Sequence, residues 1–182
     1  MNSPSEIRIR EAVASDIPTL EVFEQAVVTA ERPFDATLKP EGVKYYDLDL
    51  LISSPDSHLL VAEHNGNLIG SGYARIEKSK AYRIHKQHSY LGFMYVAPEY
   101  RGKGVVGLIL DELYRWTLSR GVTELKLEVY SENAPAIRAY EKAGFTPRLL
   151  EMRATIGFKS TDISELDLIA NVFDFDRSQN KV

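Results

Sequence analysis

The residues best suited to chemistry lie in a glycine-rich turn, Arg101-Gly102-Lys103-Gly104, at the start of a helical pattern. Backbone N–H groups at a helix start lack partners, and the helix dipole adds roughly half a positive charge there. The two glycines allow close approach to the backbone, and the two basic side chains add cationic charge. Residues 101 to 107 are therefore a candidate pyrophosphate site, and a tight turn with solvated cations is the alternative interpretation.

The spacing Gly102-x-Gly104-x-x-Gly107 also matches the fingerprint of dinucleotide-binding folds. That fingerprint needs a strand directly before the first glycine and an acidic residue about twenty positions later. Here residues 97–101 separate the glycine from the preceding strand, and Glu128 lies beyond the required distance. A nicotinamide-dependent oxidoreductase is therefore the less favoured alternative.

A second candidate segment opens with Asn133 and contains Tyr140. In a helix these two residues fall on one face, because their spacing is nearly two turns. Taken alone, an N-cap asparagine and a core tyrosine would explain the pattern. Its position after the glycine turn favours a function for both side chains.

Several elements must position these residues. Apolar alternation predicts strands over residues 6–13, 58–64, 68–78, 88–96 and 125–129, with one or two more within 145–156. Helical spacing predicts helices from Ser15 or Asp16, over about 41–52, from Gly104 to Arg120, and from Asn133 to Gly144. The resulting order, βααβββαβαβ(β), indicates an α/β fold with helices around a central sheet.

Composition excludes several classes of protein. The chain of 182 residues has no cysteine, so neither disulfides nor a cysteinyl acyl intermediate can form, and its histidines lack metal-binding spacing. A net charge of −4 argues against a nucleic-acid partner, and no apolar run is long enough for a membrane span. Met1 to Arg10 has no signal-like stretch, so a cytoplasmic location is expected. We expect one catalytic domain over residues 1–157 and an acidic extension over 158–182, which offers a surface for a homodimer.

In these segments the chain resembles the GNAT superfamily of N-acetyltransferases, over roughly residues 6–156. The resemblance implies a mixed central sheet flanked by helices and acetyl-CoA as co-substrate. It implies that the turn binds the pyrophosphate, that the strand before it pairs with the pantetheine arm, and that Tyr140 faces the thioester sulfur. The residues implied in cofactor binding are Met94, Tyr95, Val96, Arg101, Gly102, Lys103, Gly104, Val105, Val106, Gly107 and Asn133.

The chain departs from the family pattern in two places. Val106 stands where the family prefers glycine or alanine, which raises the question of crowding at the pyrophosphate. Tyr90 stands where some members have a glutamate base, so Tyr90, Glu128 and a bound water all stay open as proton acceptors. The expected reaction is direct attack of an amine, with a backbone N–H near Tyr95 or Val96 stabilising the oxyanion and Tyr140 protonating the thiolate.

The amine acceptor, a small molecule or a peptide, is expected between the first two helices and the strands that face the thioester. The candidate residues there are Glu31, Arg32, Phe34, Asp35, Tyr45, Tyr46, Tyr73 and Arg75. Carboxylates with aromatic rings suit a cationic amine, whereas Arg32 and Arg75 suit an amine that bears a carboxylate. A non-catalytic module of the same fold that binds acetyl-CoA is the other alternative; loss of the phenol or of the turn would favour it, and neither is lost.

Overall fold

The computed structural model describes residues 6 to 154. The chain divides into two units at the Pro147–Arg148 bond. In the second unit, the side chains of Glu151 and Arg153 form an ion pair of 3.5 Å. The predicted domain boundary after residue 157, the acidic extension over 158–182 and its homodimer surface all lie outside the described residues and stay predictions.

A five-stranded mixed sheet forms the centre of the first unit, with its strands in the order of the sequence. The strands are β1 (Arg8–Glu11), β2 (Ser57–His64), β3 (Asn67–Lys78), β4 (Gln87–Val96) and β5 (Leu125–Lys126). Strands β1 to β4 pair antiparallel, and β5 joins β4 in parallel. The predicted mixed α/β fold is therefore confirmed.

Helices cover both faces of this sheet. They are α1 (Ile17–Glu31), α2 (Leu48–Ser53), α3 (Val105–Ser119) and α4 (Ala134–Lys142). Successive strand residues point to opposite faces. Leu59 therefore packs in a cluster with residues of α1 and α2, while Leu60 packs in a second cluster with residues of α3.

Helix α2 corrects one prediction, because it begins at Leu48 rather than near residue 41. The carboxylate of Asp47 accepts the Leu50 N–H and so caps the helix there. Upstream, the N–H groups of Tyr45 and Tyr46 are bonded to the carboxylate of Glu24 on α1. These N–H groups cannot also bond within a helix, so residues 41–47 stay irregular.

The end of the predicted order is wrong within the described residues: no strand forms over residues 145–154. The Phe145 N–H is used to close α4, where it donates to the Tyr140 carbonyl at 3.0 Å. Pro147 follows and has no N–H for a strand ladder. Strand β5 is also shorter than predicted, with two residues.

We expect Glu24→Ala to lower the free energy of unfolding by about 3 kcal/mol. Glu24 is 1% exposed. Its carboxylate bonds the Tyr45 and Tyr46 N–H groups, and the alanine variant leaves both without this acceptor. Urea denaturation of Glu24→Ala and of the control Glu24→Gln, which keeps the accepting Oε1, measures the effect. Equal losses in the two variants would contradict this role.

Candidate functional site

An open edge on β4 lies next to the glycine turn. Strand β5 pairs with β4 only at Ser89 and Tyr90, so residues 91–96 have a described strand partner on the β3 side alone. The β3–β4 register shifts between Ser71 and Tyr73, where Phe93 adopts a φ of 54°. A bulge of this kind bends its strand. Strands β4 and β5 therefore separate and leave backbone groups of β4 open to a ligand.

Val96 presents its backbone to this edge. It lies opposite Gly70, and the next residue, Ala97, donates its N–H to the Ile69 carbonyl at 2.8 Å. In an antiparallel pair this pattern directs the Val96 N–H and C=O away from β3. The Val96 carbonyl accepts a hydrogen bond of 3.1 Å from Arg101 Nε, so its N–H is the donor that faces the edge.

The side chains of the two residues before Val96 pack on opposite faces of the sheet. Met94 packs against the α3 cluster. The Tyr95 ring lies on the other face, with its centroid 4.3 Å from that of Phe23. Both side chains therefore pack away from the edge, and the pairing of Tyr95 with Ser71 directs the Tyr95 backbone towards β3 rather than towards a ligand.

The start of α3 has the geometry of an anion site. Its N-cap is Gly104, with φ 83°, and no side chain caps it in the described part of the chain. Leu108 N–H bonds to the Gly104 carbonyl at 3.2 Å, so the N–H groups of residues 105–107 precede the first intrahelical partner. A Cβ added at Gly102, Gly104 or Gly107 would meet no atom within 4 Å. The backbone at this turn is therefore accessible.

The side chains of Val105 and Val106 turn towards the protein interior. Val105 is 1% exposed, and Val106 packs against the same cluster as Ile109. The β-branched Val106, which departs from the family pattern, is therefore accommodated by the core. Lys103 Nζ lies 5.2 Å from the ring centroid of Tyr100, so one cation of the turn rests over an aromatic ring.

Tyr140 lies on α4, which other residues fasten to α3. The Asn133 side chain accepts the Ala136 N–H at 3.3 Å, so its predicted capping role is present in the structure. At the other end, the Tyr114 hydroxyl donates to the Ala143 carbonyl at 3.1 Å. The Phe145 ring contacts both Tyr114 and Tyr140, at centroid distances of 6.3 and 6.0 Å. These contacts set the position of the Tyr140 phenol.

The surroundings of Tyr140 keep its proton in place. Burial, followed by the negative charge of Glu31, raises the pKa of Tyr140 to about 12. Burial also raises the pKa of Glu31, and the neighbouring Tyr45 hydroxyl opposes that change. The end of α1 therefore lies near the Tyr140 phenol, which is protonated at neutral pH.

Two of the open candidates for the proton acceptor, Tyr90 and Glu128, lie together. Burial raises the pKa of Tyr90 well above its usual range, and the carboxylate of Glu128 adds to this effect. The Tyr73 ring lies beside them, 6.5 Å from that of Tyr90. Because Tyr90 holds its proton strongly, it is neutral at physiological pH and cannot accept a second proton. Glu128 and a bound water are the two candidates that remain for the proton acceptor.

Several of the predicted acceptor residues also meet on this face of the sheet. Tyr46 lies between Phe93 and Tyr73, with ring centroids 4.5 and 5.8 Å away. Tyr130, which sequence reasoning missed, stacks near Phe34 at 5.9 Å and donates to Asp35 at 3.3 Å. The sequence offered one signal for Tyr130, namely that it is an aromatic residue in the loop between β5 and α4.

A surface cavity is lined in part by residues of the predicted acceptor region. It measures about 470 Å³ and lies between α1 and the segment before α2, away from the glycine turn. Its lining residues are Ile17, Glu21, Glu24, Lys44, Tyr45, Tyr46, Asp47, Leu48 and Asp49.

Residues 6–154 contain neither a metal-binding cluster nor a membrane-spanning helix. No group of three histidine or acidic side chains there could hold a metal ion. No helix in the same range has the length and apolar character needed to cross a bilayer.

The chain matches the model of the acetyltransferase (GNAT) family over residues 23–145. With a mixed sheet that opens between β4 and β5 and a glycine turn at the start of α3, it belongs to the GNAT acetyltransferase family. This assignment confirms the family predicted from the glycine turn and the Asn133–Phe145 segment, in preference to the dinucleotide-binding interpretation.

Solved structures share this fold. A predicted acetyltransferase from Clostridium acetobutylicum with acetyl-CoA is 20% identical, with a TM-score of 0.64, over 81% of this chain and 96% of that chain. An aminoglycoside N-acetyltransferase in complex with CoA is 16% identical, with a TM-score of 0.62, over 82% and 100%. Glucosamine-6-phosphate N-acetyltransferase from Arabidopsis thaliana is 20% identical, with a TM-score of 0.60, over 84% and 99%.

Proposed function

We propose that this protein transfers the acetyl group of acetyl-CoA to a primary amine, by direct attack in a complex of both substrates. The observation that carries the proposal is the uncapped start of α3 beside the open edge of β4. Membership of the GNAT family and solved relatives with acetyl-CoA or CoA support it.

The co-substrate would lie along β4 and across the start of α3. The N–H groups of residues 104–107 donate to its diphosphate, with charge from Arg101 and Lys103. The open edge of β4 pairs with the pantetheine arm, and Asn133 contributes the side-chain Nδ2 that its capping bond leaves unused. These groups place the thioester between β4 and α4.

The reaction forms a C–N bond and breaks a C–S bond. Acetyl-CoA supplies the electrophilic thioester carbonyl. The Val96 N–H donates to the oxygen of that carbonyl as negative charge develops there. Tyr140 gives its proton to the departing sulfur, and the resulting phenolate takes a proton from solvent before the next turnover. Glu128, directly or through a water, takes the proton that the attacking nitrogen loses.

A thiol-release assay tests this function directly. Purified protein is incubated with acetyl-CoA and a panel of primary amines, and free CoA is detected with a thiol reagent. We expect release to depend on an amine. Thermal shifts are measured in parallel, and we expect acetyl-CoA, but not NAD, to raise the melting temperature. Stabilisation by NAD alone, without thiol release, would contradict the proposal.

We expect Arg101→Ala to weaken acetyl-CoA binding by on the order of tenfold, because one charge-assisted phosphate contact is lost. Titration calorimetry measures the affinity. Arg115→Ala is the matched control, since Arg115 is an exposed arginine further along α3 that pairs with Glu112. Equal affinities in wild type and Arg101→Ala would remove Arg101 from the diphosphate site.

A further inference from the structure

Glu31, the last residue of α1, is a half-buried carboxylate without a cationic partner. No lysine, arginine or histidine among the described residues forms an ion pair with it. Its described neighbours are the phenols of Tyr45 and Tyr140. Burial raises the pKa of Glu31, since a carboxylate removed from water without a counter-ion is costly. This position therefore favours a bound cation.

The two arginines that would suit a carboxylate-bearing acceptor are already engaged. Arg32 donates to the backbone carbonyls of Lys39 and Pro40 at 2.9 and 2.8 Å. Arg75 donates to Glu77 through Nε and Nη2, at 3.0 and 2.6 Å. The fold thus uses both guanidinium groups within the protein and leaves Glu31 uncompensated.

Aromatic rings line the approach to Glu31. The Tyr45 hydroxyl is buried next to this carboxylate and makes no hydrogen bond of normal geometry to a described residue. The Tyr45 and Tyr46 rings meet edge to face, with centroids 5.9 Å apart. Aromatic faces beside a carboxylate are the usual protein environment for an organic ammonium ion.

The attacking nitrogen is neutral when it attacks the thioester, so a cation that stays bound to Glu31 through the reaction belongs to a second group of the acceptor. We propose that the acceptor is a diamine-like compound whose second, cationic group is bound by Glu31. This inference rests on the proposed function and specifies its acceptor. A cation bound at Glu31 would also offset the negative charge that raises the pKa of Tyr140. Acceptor binding would therefore lower the pKa of this phenol.

Three acceptors of similar length test the substrate class. Putrescine, butylamine and γ-aminobutyrate each present a primary amine, with an ammonium, a methyl or a carboxylate group at the far end. We expect kcat/KM for putrescine to exceed that for butylamine by on the order of tenfold, the scale of one charge-assisted contact, with γ-aminobutyrate lowest.

A matched pair of variants tests the residue. We expect Glu31→Gln to lower the ratio of kcat/KM for putrescine to kcat/KM for butylamine by on the order of tenfold. Glu21→Gln is the control, since Glu21 is an exposed carboxylate of the same helix, paired with Lys44 and lining the 470 Å³ cavity. An effect of Glu21→Gln equal to that of Glu31→Gln would overturn the assignment to Glu31.

The outcomes separate this inference from the proposed function. Similar kcat/KM values for all three amines would overturn the second cationic group while amine acetylation stands. A preference for γ-aminobutyrate would do the same and would favour an arginine-bound carboxylate. Absence of thiol release with every amine tested would overturn the proposed function, and this inference with it.

Discussion

Tyr140→Phe is expected to lower turnover by on the order of a hundredfold while acetyl-CoA affinity stays the same. The substitution removes only the hydroxyl, which we propose as the proton donor to the departing sulfur. The ring contact with Phe145, 6.0 Å between centroids, is kept. Steady-state kinetics and titration calorimetry on the same preparation separate kcat from affinity.

Two further tyrosines serve as comparisons for this variant. Tyr82→Phe removes the hydroxyl of a side chain that is 73% exposed, and we expect wild-type kinetics. Tyr114→Phe removes the hydrogen bond to Ala143 that fastens α4, and we expect a loss smaller than that of Tyr140→Phe. Wild-type turnover in Tyr140→Phe would exclude Tyr140 as the acid.

Gly107→Glu is expected to weaken acetyl-CoA binding by on the order of a hundredfold, equivalent to the loss of about two charge-assisted hydrogen bonds. Gly107 is the third residue of α3, where a glutamate can bond back to the N–H of the N-cap, Gly104. The new carboxylate would then occupy the proposed diphosphate donors and repel the phosphates.

The fold should tolerate this change, so the loss can be assigned to the site. A Cβ at Gly107 meets no atom within 4 Å, and replacing a helical glycine usually stabilises by roughly 0.5–1 kcal/mol. Gly107→Ala is the control, and we expect it to bind acetyl-CoA within a few-fold of wild type. Equal affinity in Gly107→Glu and Gly107→Ala would contradict a diphosphate at this helix start.

The strand, turn and helix around the glycine segment were predictable because their signals are local. Apolar alternation predicted β4 from residue 88, and β4 begins at Gln87. Helical spacing and Gly104 predicted the start of α3, which begins at Val105. The cap by Asn133 likewise depends on residues within one turn of it.

Features that depend on distant residues were not predictable in this way. Helix α2 begins late because Glu24, on another helix, binds the N–H groups of Tyr45 and Tyr46. The bulge at Phe93, which opens the β4 edge, follows Gly92, but a glycine inside a strand pattern indicates a bulge or a close backbone approach without distinguishing the two. Strand periodicity places Arg75 and Glu77 on the same face of β3, so their ion pair could be inferred from the sequence. The lack of a cationic partner for Glu31 among the described residues depends on the whole fold.

The roles given to individual site residues stay predictions, although the geometry agrees with most of them. Val96 is favoured over Tyr95 as the oxyanion donor, because strand pairing directs the Val96 N–H to the open edge. Arg32 is withdrawn as an acceptor-binding residue, because the backbone of the following loop occupies its guanidinium group.

The most direct test of the diphosphate site observes the amide hydrogens themselves. The chain has 11 glycines, so selective ¹⁵N-glycine labelling gives a simple amide spectrum that can be followed during titration with acetyl-CoA. We expect saturable shifts of the Gly104 and Gly107 signals, with Gly66 and Gly121 unchanged and no response to NAD. Saturable binding of acetyl-CoA that leaves the Gly104 and Gly107 amides unshifted would contradict the site.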